Sequence, residues 1–98
     1  MINLNYDIIH IQAIKDHSTG HFFDPGYNRL FNTRYPQYGY RHDGKAYFIT
    51  SERFGHFAPR LYSICVLDWE TGKVDTVGEF QEYGTKGRAE TALRRLLS

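Results

Sequence analysis

The chain of 98 residues carries a net charge of +1, with 41% hydrophobic and 16% aromatic residues. This length predicts one domain with a modest core, and the near-neutral charge predicts no global attraction to nucleic acid or to an anionic membrane. The one cysteine, Cys65, excludes an intrachain disulfide framework. Because no signal peptide or long apolar run is present, we expect a cytoplasmic protein.

The first predicted element lies in the isoleucine-rich N-terminal segment. Ile8, Ile9, Ile11 and Ile14 do not form one helical stripe, and β-branched residues favour strand. Gly20, however, stands where a helix often ends, as a possible left-handed residue. The segment therefore leaves strand and helix open, and we favour a short helix.

Three turn signals divide the middle of the chain into strands. Pro25-Gly26 predicts a type II turn, Asp43-Gly44 predicts a tight hairpin, and Gly72 predicts a left-handed residue in a hairpin loop. In two of the resulting strands both faces are partly apolar, which is typical of strands covered on both sides. The predicted strands are His21–Phe23, Leu30–Arg34, Tyr38–His42, Ala46–Glu52, Leu61–Asp68 and Lys73–Tyr83.

The C-terminal segment predicts a helix with Thr85 as its cap. Its apolar residues recur at helical spacing and form one stripe, which predicts packing against the sheet. These residues are Ala89, Ala92, Leu93, Leu96 and Leu97. The predicted fold class is therefore α+β: an antiparallel meander of four to six strands with the C-terminal helix on one face and a possible short N-terminal helix.

The residue patterns that support common chemistries are incomplete. Cys65 stands in the middle of a predicted strand, where a thiol is typically a small core side chain. His17 and His21 are four residues apart, but Gly20 intervenes and no carboxylates cluster with them, which favours exposed turn histidines over a metal site. The "ETGKV" stretch lacks the earlier glycine of a phosphate-binding loop. We therefore expect no enzyme, no metal and no cofactor.

The stretch "RLFNTRYPQYGYRHDGKAYF" and the loop that follows the next strand combine aromatic and basic residues. Residues 21–62 hold six cations and three anions, a local charge of +3. Tyrosine and arginine dominate interface hot spots, although the same residues also pack across neighbouring strands. The predicted contact surface comprises Arg34, Tyr35, Tyr38, Tyr40, Arg41, Arg53, Phe57 and Arg60.

Three stretches carry a family resemblance: "GHFFDPGYNRLFNTR", "KAYFITSERFG" and "RLYSICVLDWETGKVDTVGEFQEYGTKGRAETALRRL". They resemble a family of small uncharacterised domains common in bacteriophage and prophage genomes. The resemblance covers about four-fifths of the chain, from His21 onward, and leaves the first twenty residues outside. It implies an accessory protein of a mobile element, and it implies no catalytic residues.

Two functions fit these observations. The first is a non-enzymatic inhibitor or adaptor that binds a host protein complex in the host cytoplasm, with an anti-defence, anti-CRISPR-like activity as its concrete form. The second is a single-stranded nucleic-acid binder that uses stacked tyrosines and scattered arginines. A weaker third option is an assembly factor of the virion. Either a monomer or a homodimer fits the sequence, because an edge strand or the aromatic surface could pair two copies.

Overall fold

A computed structural model describes residues 6–26, 32–53 and 58–98 of the chain. Five antiparallel strands form one sheet in the order β1-β2-β3-β4-β5, so each strand pairs with its neighbour along the chain. This meander and the C-terminal helix confirm the predicted α+β fold. The elements are β1 Asp7–His10, α1 Ile11–His17, β2 Tyr38–His42, β3 Lys45–Glu52, β4 Leu61–Asp68, β5 Val74–Val77 and α2 Lys86–Leu97.

The two hairpins form where glycine signals predicted them. Asp43 and Gly44 have φ values of 49° and 75°, and they join β2 to β3 with His42 opposite Lys45. Two successive residues with positive φ match the right-handed twist of the strands that they connect. Gly72, also at φ 75°, lies in the β4–β5 turn. Both predicted turns are confirmed.

Both faces of the central strands are buried, as their composition predicted. On one face, the α1 face, Ile11 and Ile14 of α1 pack with Phe48, Cys65 and Leu67 of the sheet. On the other, the α2 face, Leu93 and Leu97 pack against Ile64, with Tyr47 and Ile49 beside them. Odd-numbered residues of β3 therefore face α2 and even-numbered residues face α1.

The N-terminal segment is both a strand and a helix. Ile8 and Ile9 lie in β1, which pairs with β2, whereas Ile11 and Ile14 lie in α1. The expectation of a helix is therefore correct only from residue 11 onward. The helix ends at the Ser18 cap in an extended conformation, so Gly20 does not have the predicted C-terminal role.

The C-terminal end of α1 and the residues after it bind to the β4–β5 hairpin. The His17 ring stacks on Trp69 with centroids 3.9 Å apart and bonds to the Trp69 carbonyl oxygen. Thr19 donates from its backbone nitrogen to the Gly72 carbonyl oxygen at 2.9 Å and from its hydroxyl to that of Thr71 at 3.0 Å. The half-buried position of His17 differs from the predicted exposed one, whereas His21 is exposed.

Three strand predictions and one turn prediction were wrong in part or whole. His21–Phe23 forms a turn instead of a strand. The turn lets the rings of both Phe22 and Phe23 pack on Phe48. Gly26 is helical without a positive φ, so no type II turn forms there.

Within the predicted Leu30–Arg34 strand, Leu30 and Phe31 lie outside the described residues, and Arg34 alone makes a bridge, to Ser51. The predicted Lys73–Tyr83 strand ends at Val77, because Gly78 and Gln81 adopt positive φ. Tyr83 returns to the sheet as a single bridge to Tyr62.

The helices of the described ranges are too short or too polar to cross a membrane.

Candidate binding groove

The helix α2 covers only part of the sheet face on which it lies. It begins at a Thr85 cap, whose hydroxyl accepts a hydrogen bond from the Arg88 backbone nitrogen at 3.2 Å, as predicted. It packs chiefly against β3 and β4, where Leu93 and Leu97 are buried. On the β1–β2 half of this face, Tyr6 and Tyr40 pack against the edge of the cluster that contains Leu93 and Leu97, whereas Ile8 and Tyr38 stay exposed beside the helix.

Tyrosines and an isoleucine line this half of the face. Ile8 is 65% exposed and lies directly opposite Tyr40 in the β1–β2 register, and Tyr38 is 48% exposed. The Tyr6 ring meets the Tyr40 ring edge to face with centroids 5.1 Å apart, and the Tyr38 ring meets His10 in the same way at 5.5 Å. The paired rings form a row of aromatic surface along β1 and β2.

A continuous groove runs between this row and α2. Three adjoining cavities of about 360, 240 and 260 Å³ make it up, and they share Tyr40, Ile49 and Lys86 at their junctions. We call it the tyrosine groove, and we define it by Tyr6, Tyr38, Tyr40 and Ile49 of the sheet side and Lys86, Glu90 and Arg94 of the helix side. The helix-side residues alternate in charge at a spacing of four.

One end of the groove is strongly basic. The cavity of about 260 Å³ is lined by Arg34, Arg60 and Lys86, together with Ser51 and Tyr62. We call this the cationic end, and we define it by the three basic residues. The backbone of Arg34 is held beside β3 by two hydrogen bonds to the backbone of Ser51, of 2.9 and 3.1 Å.

The Arg60 side chain is held in place by the protein itself. Its Nη1 donates to the carbonyl oxygens of Asn32 and Ser51, both at 3.0 Å, and to the Ser51 hydroxyl at 2.9 Å. Burial, followed by the positive charges of Arg34 and Arg53, lowers the pKa of the Arg60 guanidinium. The guanidinium nevertheless stays charged at neutral pH, because an arginine pKa lies far above it.

The predicted contact residues fall into separate places. Arg34, Tyr38, Tyr40 and Arg60 line the tyrosine groove or its cationic end. Tyr35 also lines the cationic end, but its ring packs on Phe22 and Phe23, and its hydroxyl donates to the Phe22 carbonyl oxygen at 3.2 Å.

The other three predicted residues lie elsewhere. Arg41 is on the α1 face, where its guanidinium lies 4.3 Å from the centre of the Trp69 ring. Neighbouring residues of a strand point to opposite faces, so Arg41 and Tyr40 cannot share one surface. Arg53 is half-buried and close enough to Arg60 to lower the pKa of its guanidinium, and Phe57 lies outside the described residues.

The residues that complete the groove were not among the predicted contact residues. Lys86, Glu90 and Arg94 are spaced by four residues, which places them on one side of a helix, so the helical pattern itself could have identified them. Ile49 lies between the buried residues Phe48 and Thr50 of β3, so strand alternation could have placed it on the opposite face. Tyr6 and Ile8 carried no such signal, because their position depends on the pairing of β1 with β2, which is distant in sequence.

A buried polar cluster lies on the α1 face, at the end of β3. The Glu52 side chain is 3% exposed, and it accepts hydrogen bonds from Thr50 at 2.7 Å and from Ser63 at 3.4 Å. Burial raises the pKa of Glu52, against the opposing effects of these two hydroxyls and of the Arg60 charge. Burial also raises the pKa of the Cys65 thiol to about 12, so this thiol stays protonated and is a poor nucleophile.

This cluster has the properties of a structural core rather than of a reaction centre. Its carboxyl, hydroxyls and thiol bond to one another, as in the 3.6 Å contact between the Thr50 hydroxyl and the Cys65 sulfur. The described residues contain no group of three or more His, Cys, Asp or Glu side chains that could hold a metal ion. The tyrosine groove is therefore the surface of the described residues best suited to contact another molecule.

Comparison with known proteins adds a family. Neither the curated proteins nor the solved structures include a significant match to the chain. A family of unknown function, DUF7447, matches residues 7–94 and so includes most of the N-terminal segment that the resemblance left out. The match spans the sheet and most of α2, and the chain belongs to this DUF7447 family of unknown function.

Proposed function

We propose that this protein is a non-enzymatic binding protein that attaches to a partner protein through the tyrosine groove. The observation that carries the proposal is the exposure of Ile8 and Tyr38 beside α2, next to Tyr40, which is half-buried against the cluster of Leu93 and Leu97. Aromatic side chains at the centre of an interface bury large areas at a low cost in conformational entropy. The polar residues of α2 would form the rim of such an interface.

The finer form of the proposal is an accessory protein of a bacteriophage or other mobile element that binds and inhibits a host protein complex. Its support is the sequence resemblance to phage domains, the small size of the chain, and a binding surface without an accompanying reaction centre among the described residues. In this form the protein acts in the host cytoplasm against a defence complex, as anti-CRISPR proteins do.

Photo-crosslinking in bacterial cells tests the proposal. A benzophenone amino acid replaces Tyr38 in one variant and Glu70 in a control variant, because Glu70 is exposed in the β4–β5 turn, outside the groove. We expect a discrete protein adduct from position 38 that is absent from position 70. Equal adduct patterns from the two positions would count against the groove as a protein-binding site.

The inhibitory role has its own test. Cells that produce the wild-type protein should lose the activity of the crosslinked complex, for example restriction of an infecting phage. Cells that produce the Tyr38→Ala variant should keep it. A crosslinked partner whose activity is unchanged would support binding without inhibition.

Binding of single-stranded nucleic acid is the second candidate, and the proximity of Tyr38 and Tyr40 to Lys86 favours it. The edge-to-face pairs of Tyr6 with Tyr40 and of His10 with Tyr38 count against it, because they occupy ring surface that successive bases would stack on. Fluorescence anisotropy with a labelled oligothymidylate decides between the two. Binding that weakens steeply with added salt would support this candidate, and no binding at low salt would remove it.

A further inference from the structure

Positive charge is concentrated at the cationic end of the tyrosine groove. Arg34, Arg60 and Lys86 line one cavity, and none of the described residues that line it is acidic. The nearest buried carboxylate, that of Glu52, already accepts hydrogen bonds from Thr50 and Ser63 on the α1 face. The positive charge of this cavity is therefore only partly balanced within the described part of the protein.

The Arg60 guanidinium lines the cavity in an orientation that the protein itself fixes. Nη1 makes three hydrogen bonds to the backbone and side chain of neighbouring residues, which orients the guanidinium plane. Nη2 of the same group is buried and has no hydrogen-bond partner among the described residues, so a ligand would reach it only if the surrounding side chains moved. A guanidinium that is already oriented loses little conformational entropy when it binds an oxyanion.

Three further features favour a negatively charged ligand at this end. The Arg34 and Arg53 charges repel that of Arg60, and an anion would relieve this repulsion. Lys86 is the first residue of α2, so the positive end of the helix dipole lies close to this lysine. The contact between Lys86 and Glu90, with Nζ and Oε1 3.8 Å apart, neutralises Lys86 only weakly, because both side chains are exposed.

We propose that the cationic end binds carboxylate side chains of the partner segment, so that the groove recognises a peptide that combines apolar or aromatic residues with aspartate or glutamate. This inference rests on the proposed function. The apolar residues would pack on Tyr38, Tyr40 and Ile49, and the carboxylates would reach Arg34, Arg60 and Lys86. An arginine fork pairs with both carboxylate oxygens, which gives direction as well as attraction.

Selection from a random-peptide display library provides the probe. The library is panned against the wild-type protein, and clones that also bind the Tyr38→Ala variant are removed. We expect the remaining peptides to be enriched in aspartate and glutamate on one side of an apolar core. The tightest peptide is then compared with its asparagine and glutamine counterpart.

Charge-removing variants locate the contact. The double variant Arg34→Gln and Lys86→Gln removes two charges from the cationic end, and the control Lys73→Gln and Arg88→Gln removes two exposed charges elsewhere. We expect the acidic peptide to bind the first variant at least about tenfold more weakly and the control with little change. The amide counterpart should bind the wild type and the first variant equally.

The outcomes separate the inference from the proposed function. Groove-dependent peptides without acidic preference, or acidic peptides that bind both double variants equally, would overturn the inference and leave the proposed function standing. A preference for phosphorylated over acidic peptides at the same residues would also overturn it, in favour of a phosphate ligand. A library without any peptide that depends on Tyr38 would overturn both.

Discussion

The guanidinium of Arg60 binds Ser51 twice, through the carbonyl oxygen at 3.0 Å and the hydroxyl at 2.9 Å. The same Nη1 donates to the carbonyl oxygen of Asn32. Arg60 precedes β4, Ser51 lies near the end of β3, and Asn32 belongs to the segment that bridges to Ser51 through Arg34. One side chain therefore joins three parts of the chain and also supplies charge to the tyrosine groove.

Replacement of Arg60 should destabilise the fold. Arg60→Gln removes the three hydrogen bonds that Nη1 donates, although the Ser51 carbonyl oxygen still accepts from the Arg34 backbone nitrogen. The loss of hydrogen bonds from a charged group costs about 1–3 kcal/mol in the free energy of unfolding. Arg34→Gln is the control, because the Arg34 side chain is exposed and its two hydrogen bonds to Ser51 come from the backbone. Urea denaturation of both variants measures the difference, and equal stability would contradict the joining role of Arg60.

Glu52 should make stability depend on pH. Its raised pKa means that the folded protein keeps a proton on Glu52 at pH values where the unfolded chain has released it. This contribution is fully present below the unfolded pKa and is lost as the pH rises through the folded pKa. Glu52→Gln should therefore raise the free energy of unfolding near pH 7, and this gain should shrink as the pH falls toward the pKa of glutamate in the unfolded chain.

Denaturation curves of wild type and Glu52→Gln across this pH range measure the effect. The exposed Glu70→Gln variant controls for the loss of one negative charge. A Glu52→Gln variant that is less stable than wild type near neutral pH would mean that the hydrogen bonds from Thr50 and Ser63 outweigh the cost of burying the charge.

Gly39 should not tolerate a side chain. A Cβ atom there would lie 2.5 Å from Cδ1 of Ile14 and 2.8 Å from the carbonyl oxygen of Tyr47. Gly39→Ala would push α1 away from the sheet and destabilise the fold by about 2 kcal/mol, as overpacking of a core does. Gly84→Ala is the control, since a Cβ at Gly84 meets nothing within 4 Å. Thermal unfolding of the pair tests how closely α1 packs on β2.

The Cys65 thiol should be unreactive in the folded protein. It is 2% exposed, so an alkylating reagent has little access to the sulfur. Its pKa is raised to about 12, so very little of the reactive thiolate is present at neutral pH. We expect iodoacetamide to modify it only as fast as the protein unfolds, with full modification in denaturant. Rapid alkylation under native conditions would reopen a catalytic role for this thiol.

Local signals predicted the parts of the fold that depend on neighbouring residues. Asp43-Gly44 and Gly72 favour positive φ, so both hairpins were predictable from the sequence. The start of α2 was predictable as well, because the Thr85 hydroxyl can accept a hydrogen bond from the Arg88 backbone nitrogen. The boundary between β1 and α1 did not follow, because His10 becomes the helix cap only after Ile8 and Ile9 have paired with β2. The end of β5 at Val77 was not predicted, because the alternating residue pattern continues beyond it.

The candidate site was predictable only in part. Aromatic and basic composition pointed to Tyr38, Tyr40 and Arg34, and strand alternation would have separated Arg41 from them. Because α2 packs chiefly against β3 and β4, Ile8 and Tyr38 stay exposed, and this depends on where the helix packs. A linear pattern does not contain that information.

The central claim, that the tyrosine groove is the binding surface, is tested most directly by amide chemical-shift mapping with the tightest selected peptide. We predict that the largest shifts fall on Ile8, Tyr38 and Tyr40 and on the Lys86 side of α2, while the β4–β5 turn near Glu70 stays unchanged. Shifts concentrated on the α1 face around Arg41 and Trp69 would contradict the claim.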